Sequence, residues 1–148
     1  MKATRDWSDP KVAEHILRSY GVWAVVGCSS HPWRASHGVS RYLLRQGYGV
    51  VPINPNETLI HGKLAYPDLA SVPTDLRAPI EVVDIFRRSE LVLPHVEEAI
   101  AIGAKAIWMQ LEVWNEDAAE LAAAAGLDVV MNRCPAIDHP QMIGARGV

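Results

Sequence analysis

The segment Gly27-Cys28-Ser29-Ser30 follows an apolar run, residues 22–26, with a glycine and three small residues. In that arrangement the backbone can turn tightly, and amides and hydroxyls are left open to an anion. A helix opening at Ser36 or His37 adds the positive end of its dipole, and Arg34 and Arg41 bring charge suited to a pyrophosphate. The chemistry implied is phosphate binding. The loop has no GxGxxG spacing, and the next apolar run ends in Asn54, where a dinucleotide site carries an acid for the ribose hydroxyl. Ordinary NAD binding is therefore disfavoured. Asn54 and Pro55 fit a pocket for an adenine or ribose edge, and they fit a plain turn as well.

Other residues could react rather than bind. Cys28 sits in a loop that feeds a helix amino terminus, which lowers a thiol pKa and makes a nucleophile of it; the alternative is a small packing residue. Glu112, just beyond a strand, could act as a base or be simply solvated. Asp84 lies within a strand, as a catalytic acid or, preferably, a structural carboxyl bonded to a neighbouring loop. His31 and His37 flank the small-residue loop, but neither HExxH nor another zinc spacing occurs among the six histidines, and no metal site is expected. Of the tryptophans, Trp23, Trp108 and Trp114 read as core, and Trp33 as the one placed to reach a ligand. No complete catalytic constellation emerges.

The elements that must position these residues alternate along the chain. Ser8-Asp9-Pro10 caps a helix whose Val12, Ala13, Ile16 and Leu17 share one face and which stops at Gly21. Residues 22–26 form a first strand, followed by a helix through Val39, Leu43 and Leu44 to Gly47, and residues 48–53 form a second. Turn residues Asn54-Pro55-Asn56, Tyr66-Pro67-Asp68 and Val72-Pro73 predict a long loop with one short helical turn. Residues 80–86 are a third strand; Ser89 caps the next helix, which Pro94 breaks or restarts before Gly103. Residues 105–109 are a fourth strand, Asn115 caps a helix over 116–125, residues 127–131 are a fifth strand, and the tail reads as irregular. Short apolar strands alternating with helices predict an α/β, Rossmann-like, doubly wound parallel five-stranded sheet with helices on both faces. The expected strand order is 3-2-1-4-5, with a ligand crevice at the carboxyl ends near the first strand. Cys28 and Cys134 would then be two strands, about 10 Å, apart, too far for a disulfide.

At 148 residues and 49% hydrophobic, the chain matches one domain, residues 1–148. A net charge of −3 with no basic run argues against nucleic acid. Two cysteines outside any CxxC pair fit a reducing cytoplasm, and neither a signal core in MKATRDWSDP nor a membrane span is present.

With VVGCSS, HPWRAS, GVSRYL, VVPINPN, VVDIFRRSE, AIGAKAIWMQLEVWNEDAAE and VVMNRCPAI, nearly the whole chain resembles the standalone bacterial and archaeal CoA-binding proteins, relatives of the CoA-binding domain of succinyl-CoA synthetase α subunits. The resemblance implies coenzyme A, or an acyl-CoA, lying over the strand ends. It places the diphosphate against Gly27, Cys28, Ser29 and the following helix, with Arg41 at a basic helix position suited to the phosphates; Ser30, Arg34 and Ser36 belong to the same candidate site through the loop and helix start described above. Asn54 and Pro55, Phe86 and Arg87, and the polar strand-end residues Gln110 and Asn132 complete the implied site. Cys28 departs from the Ala-Ser loops of such proteins, and Glu112 stands where a small residue is frequent. The ligase domain and ATP-grasp partner of the synthetases have no counterpart, so ligase activity is not implied. The expected role is a carrier, sensor or regulatory module. An acyl-CoA thioester enzyme using Cys28 or Glu112, and an NAD- or FAD-binding redox protein, are the alternatives. A protein partner is not indicated, and a homo-oligomer stays open.

Overall fold

Apolar runs with no polar alternation become strands covered on both faces, and each parallel connection is made by crossing the sheet. The computed structural model describes residues 5–144, so Met1 to Thr4, part of the segment read for a signal core, lie outside the described residues. The sheet consists of β1 (Val22–Val26), β2 (Gly49–Ile53), β5 (Val82–Ile85), β6 (Ala106–Met109) and β7 (Asp128–Val130), all parallel. Alternate residues face opposite ways. Trp23, Val25, Val82, Ala106 and Trp108 pack beneath α1 (Pro10–Ser19) and α2 (Ala35–Arg45). Ala24, Val26, Val83, Ile85, Ile107 and Met109 pack beneath α4 (Leu93–Ala101) and α5 (Glu116–Ala124). The doubly wound α/β class therefore holds. Asp9 caps α1 with its side chain on the Lys11 amide, and Asn115 caps α5 on Ala118, as their positions before helical periodicity require.

The strand order differs from expectation. It is β2-β1-β5-β6-β7, so the third long strand lies beside the first rather than beyond the second: 2-1-3-4-5, not 3-2-1-4-5. Pro52 gives the reason. It has no N–H to donate to a ladder, and a proline inside a strand belongs at a sheet edge. Among the described residues the outer side of β2 is met only by the returning chain, where Tyr66 donates its N–H to the Pro52 carbonyl at 3.1 Å and accepts from the Asn54 amide at 2.9 Å. The winding thus reverses between β1 and β5, and Gly27 has Phe86 as its neighbour instead of Gln110. Cys28 and Cys134 are both free and buried. They follow β1 and β7, now three ladder spacings apart, about 14 Å.

Two further corrections concern local structure. The long loop after β2 contains an antiparallel hairpin, β3 (Leu59–Ile60) and β4 (Lys63–Leu64), turning through His61-Gly62 at positive φ, before the short helix α3 (Thr74–Arg77). The tail is not irregular, because α6 (Pro135–Met142) packs on α1 and α2. Proline at its first position suits a helix start, and Arg133 grips the buried Asp138 with two hydrogen bonds of 2.7 and 2.9 Å.

Candidate functional site

At the carboxyl ends of β1 and β5 the backbone comes unusually close to itself. Gly27 adopts φ +81°, and a Cβ there would stand 2.3 Å from the Phe86 carbonyl oxygen, so only glycine fits. Its N–H bonds the Ile53 carbonyl at 2.9 Å, while the Phe86 N–H bonds Val26 at 2.9 Å. Three strand ends are thereby locked together under one crevice.

The chain then leaves β1 as a loop held by short side chains. Asn54 donates from Nδ2 to the Cys28 carbonyl at 2.8 Å and accepts the Asn56 amide on Oδ1 at 2.8 Å, which makes the turn after β2 a clamp on the first loop. Ser29 Oγ accepts the His31 amide at 3.0 Å. Trp33, 76% exposed, stacks on the His31 ring with centroids 4.6 Å apart. Arg34 occupies the N-cap of α2 without a capping hydrogen bond from its side chain, and Ser36 is buried in the first turn. A helix amino terminus without a side-chain cap keeps N–H groups for an anion.

Two cavities open here, sharing Gly27, Asn54, Asn56 and Phe86. The larger, about 470 Å³, is also lined by Ser29, His31, Arg34, Ser36 and Glu57. The smaller, about 300 Å³, adds Pro55, Arg87 and His95. Together they have the size of a small-molecule cleft. Another cavity, of about 450 Å³, lies at the opposite end of the sheet between Arg18, Tyr20 and Tyr48, away from the loops just described.

Of the residues expected to bind, Gly27, Ser29, Arg34, Ser36, Asn54, Pro55, Phe86 and Arg87 line these two cavities. Ser30 lines neither, but its amide is bonded to Glu57, which lines the larger. Cys28 also lines neither: its side chain is fully buried, with Sγ 3.5 Å from Ser40 Oγ. Burial pushes that thiol up to about 11. Arg41 is exposed on α2 and lines neither cavity. Gln110 is buried one strand further on, and its Oε1 has no hydrogen-bond partner among the described residues. Asn132, at φ +56°, accepts the Glu112 amide at 2.7 Å, and Glu112 itself adopts φ +68°. The Asn132 side chain thus holds the Glu112 turn, and neither residue lines the two cavities. Asp84 was expected to bond a nearby loop, yet it is completely buried and neither carboxyl oxygen has a partner among the described residues. Burial holds its pKa well above the usual carboxylate range.

Two residues near the site escaped the sequence reading. Glu57 is returned by the Asn54 turn to the end of β2, where both carboxylate oxygens accept the Ser30 amide, at 3.2 and 3.0 Å. Hydrogen bonding from Ser30 lowers its pKa, and the charges of His31 and His37 add to the effect. The other is His61, at φ +55°, whose Nε2 lies 2.8 Å from Ser40 Oγ and whose ring sits against His37. Burial lowers the His61 pKa. Nothing in apolar periodicity marks either residue, although an Asn-Pro-Asn turn followed by an acid is visible in the sequence. Among the described residues no group of three or more His, Cys, Asp or Glu is placed to hold a metal, and no helix is long and apolar enough to cross a membrane.

Residues 21–140 match the CoA binding domain family. The chain is 33% identical over 132 residues to the uncharacterized protein YneT of Bacillus subtilis (strain 168), covering 89% of this chain and 94% of that one. Among solved structures, Prb, a protein redesigned for binding, superimposes with a TM-score of 0.87 at 35% identity, over 97% of this chain and 99% of that one. An acetyl-coenzyme A synthetase from Ca. Korarchaeum cryptofilum, solved with phosphate and ADP, matches with a TM-score of 0.62 at 25% identity; the match covers 77% of this chain and 26% of the synthetase.

Proposed function

This chain belongs to the CoA binding domain family, and we propose that it binds coenzyme A or an acyl-CoA across the carboxyl ends of β1, β2 and β5. One observation carries the reading. The loop 27–30 and the α2 amino terminus, which has no side-chain cap, converge with Arg34 on the cavity floored by the Gly27–Phe86 contact. Amides, a helix dipole and a guanidinium aimed at one space are complementary to a diphosphate. The adenosine half lies toward Asn54 and Pro55, and the pantetheine arm leaves past Phe86 and Arg87. Arg41, Gln110 and Asn132 stand outside this arrangement.

The role is that of a carrier, sensor or regulatory module acting as one domain in the cytoplasm, with CoA as its small-molecule partner and with neither nucleic acid nor membrane. The thioester-enzyme alternative has less support: the Cys28 thiol is buried with its pKa raised, and Glu112 lines neither cavity. The test is the melting temperature against CoA, acetyl-CoA, longer acyl-CoAs, NAD, NADP, FAD and ATP, because a ligand that binds only the native state raises it. A rise selective for CoA or its thioesters is expected. A rise with another nucleotide and none with CoA would replace the ligand.

A further inference from the structure

We propose that Glu57 is an internal anion that takes the Ser30 amide in the free protein, and that a phosphorylated ligand binds by displacing it. The inference rests on the site being a CoA pocket and deepens that reading by naming the group that sets the affinity. The Ser30 N–H is one of the donors that make the first loop an anion cradle, and both Glu57 oxygens already hold it. Asn54 Nδ2 adds a longer contact of 3.4 Å to Oε2. Glu57 also lines the same cavity as Ser29, Arg34 and Ser36, so its charge stands where the phosphates would enter.

The position of Glu57 is built, not incidental. The Asn54 turn sends the chain back toward β1, and the hairpin that follows is pinned to α2 by the contact between His61 and the buried Ser40. His61 adopts a left-handed backbone to make it. Residues 54–64 thus fold over the first turn of α2 as a strap whose carboxylate satisfies the cradle from within.

A phosphate brought to the same N–H would set two negative charges in contact across a donor that both Glu57 oxygens already share, and those charges repel. Binding therefore requires Glu57 to swing into solvent, and the apparent affinity falls by the fraction of molecules in which it has done so. An uncharged fragment such as pantetheine has nothing to offer in exchange, so the arrangement selects ligands that carry phosphate.

The experiment is calorimetric titration of the wild type, Glu57→Gln and Glu57→Ala with CoA and with inorganic pyrophosphate. The isosteric Glu57→Gln keeps the loop packing should the alanine variant fail to fold. Both variants are expected to bind CoA and pyrophosphate more tightly, by roughly three- to tenfold for Glu57→Ala and less for Glu57→Gln. Unchanged or weakened binding of both ligands by folded variants would overturn the inference while leaving a CoA site intact. Tighter pyrophosphate binding by the variants, with no CoA binding by any of the three proteins, would uphold the displaced anion and remove CoA as the ligand.

Discussion

Gly27 lies directly against the Phe86 carbonyl, so closely that a Cβ on Gly27 would meet the oxygen at 2.3 Å. That contact welds the ends of β1 and β5 at the point where the winding of the sheet reverses, and it leaves the floor of the crevice as bare backbone. Gly27→Ala must relieve a backbone clash while holding φ +81°, and is expected to lose about 3 kcal/mol of stability, the upper end of such strain. Urea unfolding of the variant measures it; a loss below half that value would mean that the strand ends yield easily.

The two arginines first associated with phosphate now separate. Arg34 lines the larger cavity and Arg41 does not. Arg34→Ala should weaken CoA binding by roughly tenfold and flatten its salt dependence, as expected for loss of one charge-assisted contact. Arg41→Ala should stay within about twofold of the parent on the same grounds. Equal effects in a titration at two salt concentrations would return Arg41 to the site.

Cys28 is a nucleophile only as thiolate, and burial raises its pKa from 9.0 to about 11. At pH 8 the thiolate population is then about a hundredfold below that of an unperturbed thiol. Alkylation of the native protein by iodoacetamide should be slow and should accelerate on unfolding. Because the neutral form is favoured in the folded state, its contribution is complete below pH 9 and is lost as pH rises through 11. Cys28→Ala should remove that part of the alkaline fall in stability, and an unchanged alkaline profile would refute the assignment.

Asp84 is buried without a partner among the described residues, and burial raises its pKa, so folding favours its neutral form. Such a group favours the fold below its unfolded pKa and penalises it as pH rises beyond that value. Asp84→Asn, of similar shape but without a charge to suppress, should be more stable than the parent at pH 7, with the advantage shrinking toward pH 4. Melting curves across that range settle the matter, and a variant less stable at pH 7 would mean that the carboxyl has a function its geometry does not reveal.

The strands and main helices were legible because burial on both faces writes an unbroken apolar run and caps sit where helical periodicity begins. Val22–Val26 emerged at its observed bounds, and Asp9 and Asn115 cap α1 and α5 as read. Strand order is partly legible. Apolar runs say nothing about neighbours, and right-handed crossovers admit both 3-2-1-4-5 and 2-1-3-4-5, but Pro52 excludes a central place for β2. That one residue decides whether Gln110 or Phe86 adjoins Gly27, which is why Gly27, Ser29 and Asn54 line the two cavities while Gln110 and Asn132 do not. The hairpin and α6 were lost for another reason. Two-residue strands have no period to read, and a helix carrying Pro135 and Pro140 resembles a loop until Asp138 finds Arg133.

The proline that fixes β2 at the border also has a bearing on how many copies of this protein behave when crowded. One border of the sheet offers Pro52 and is crossed by Tyr66; at the other, β7 has only three residues, and the Met131 amide just beyond it is taken by the Trp7 carbonyl at 2.7 Å. A foreign strand finds no uninterrupted row of backbone donors and acceptors on either side, so the sheet resists growth into shared ribbons between molecules. Self-assembly, where it occurs, is left to helical faces and loops.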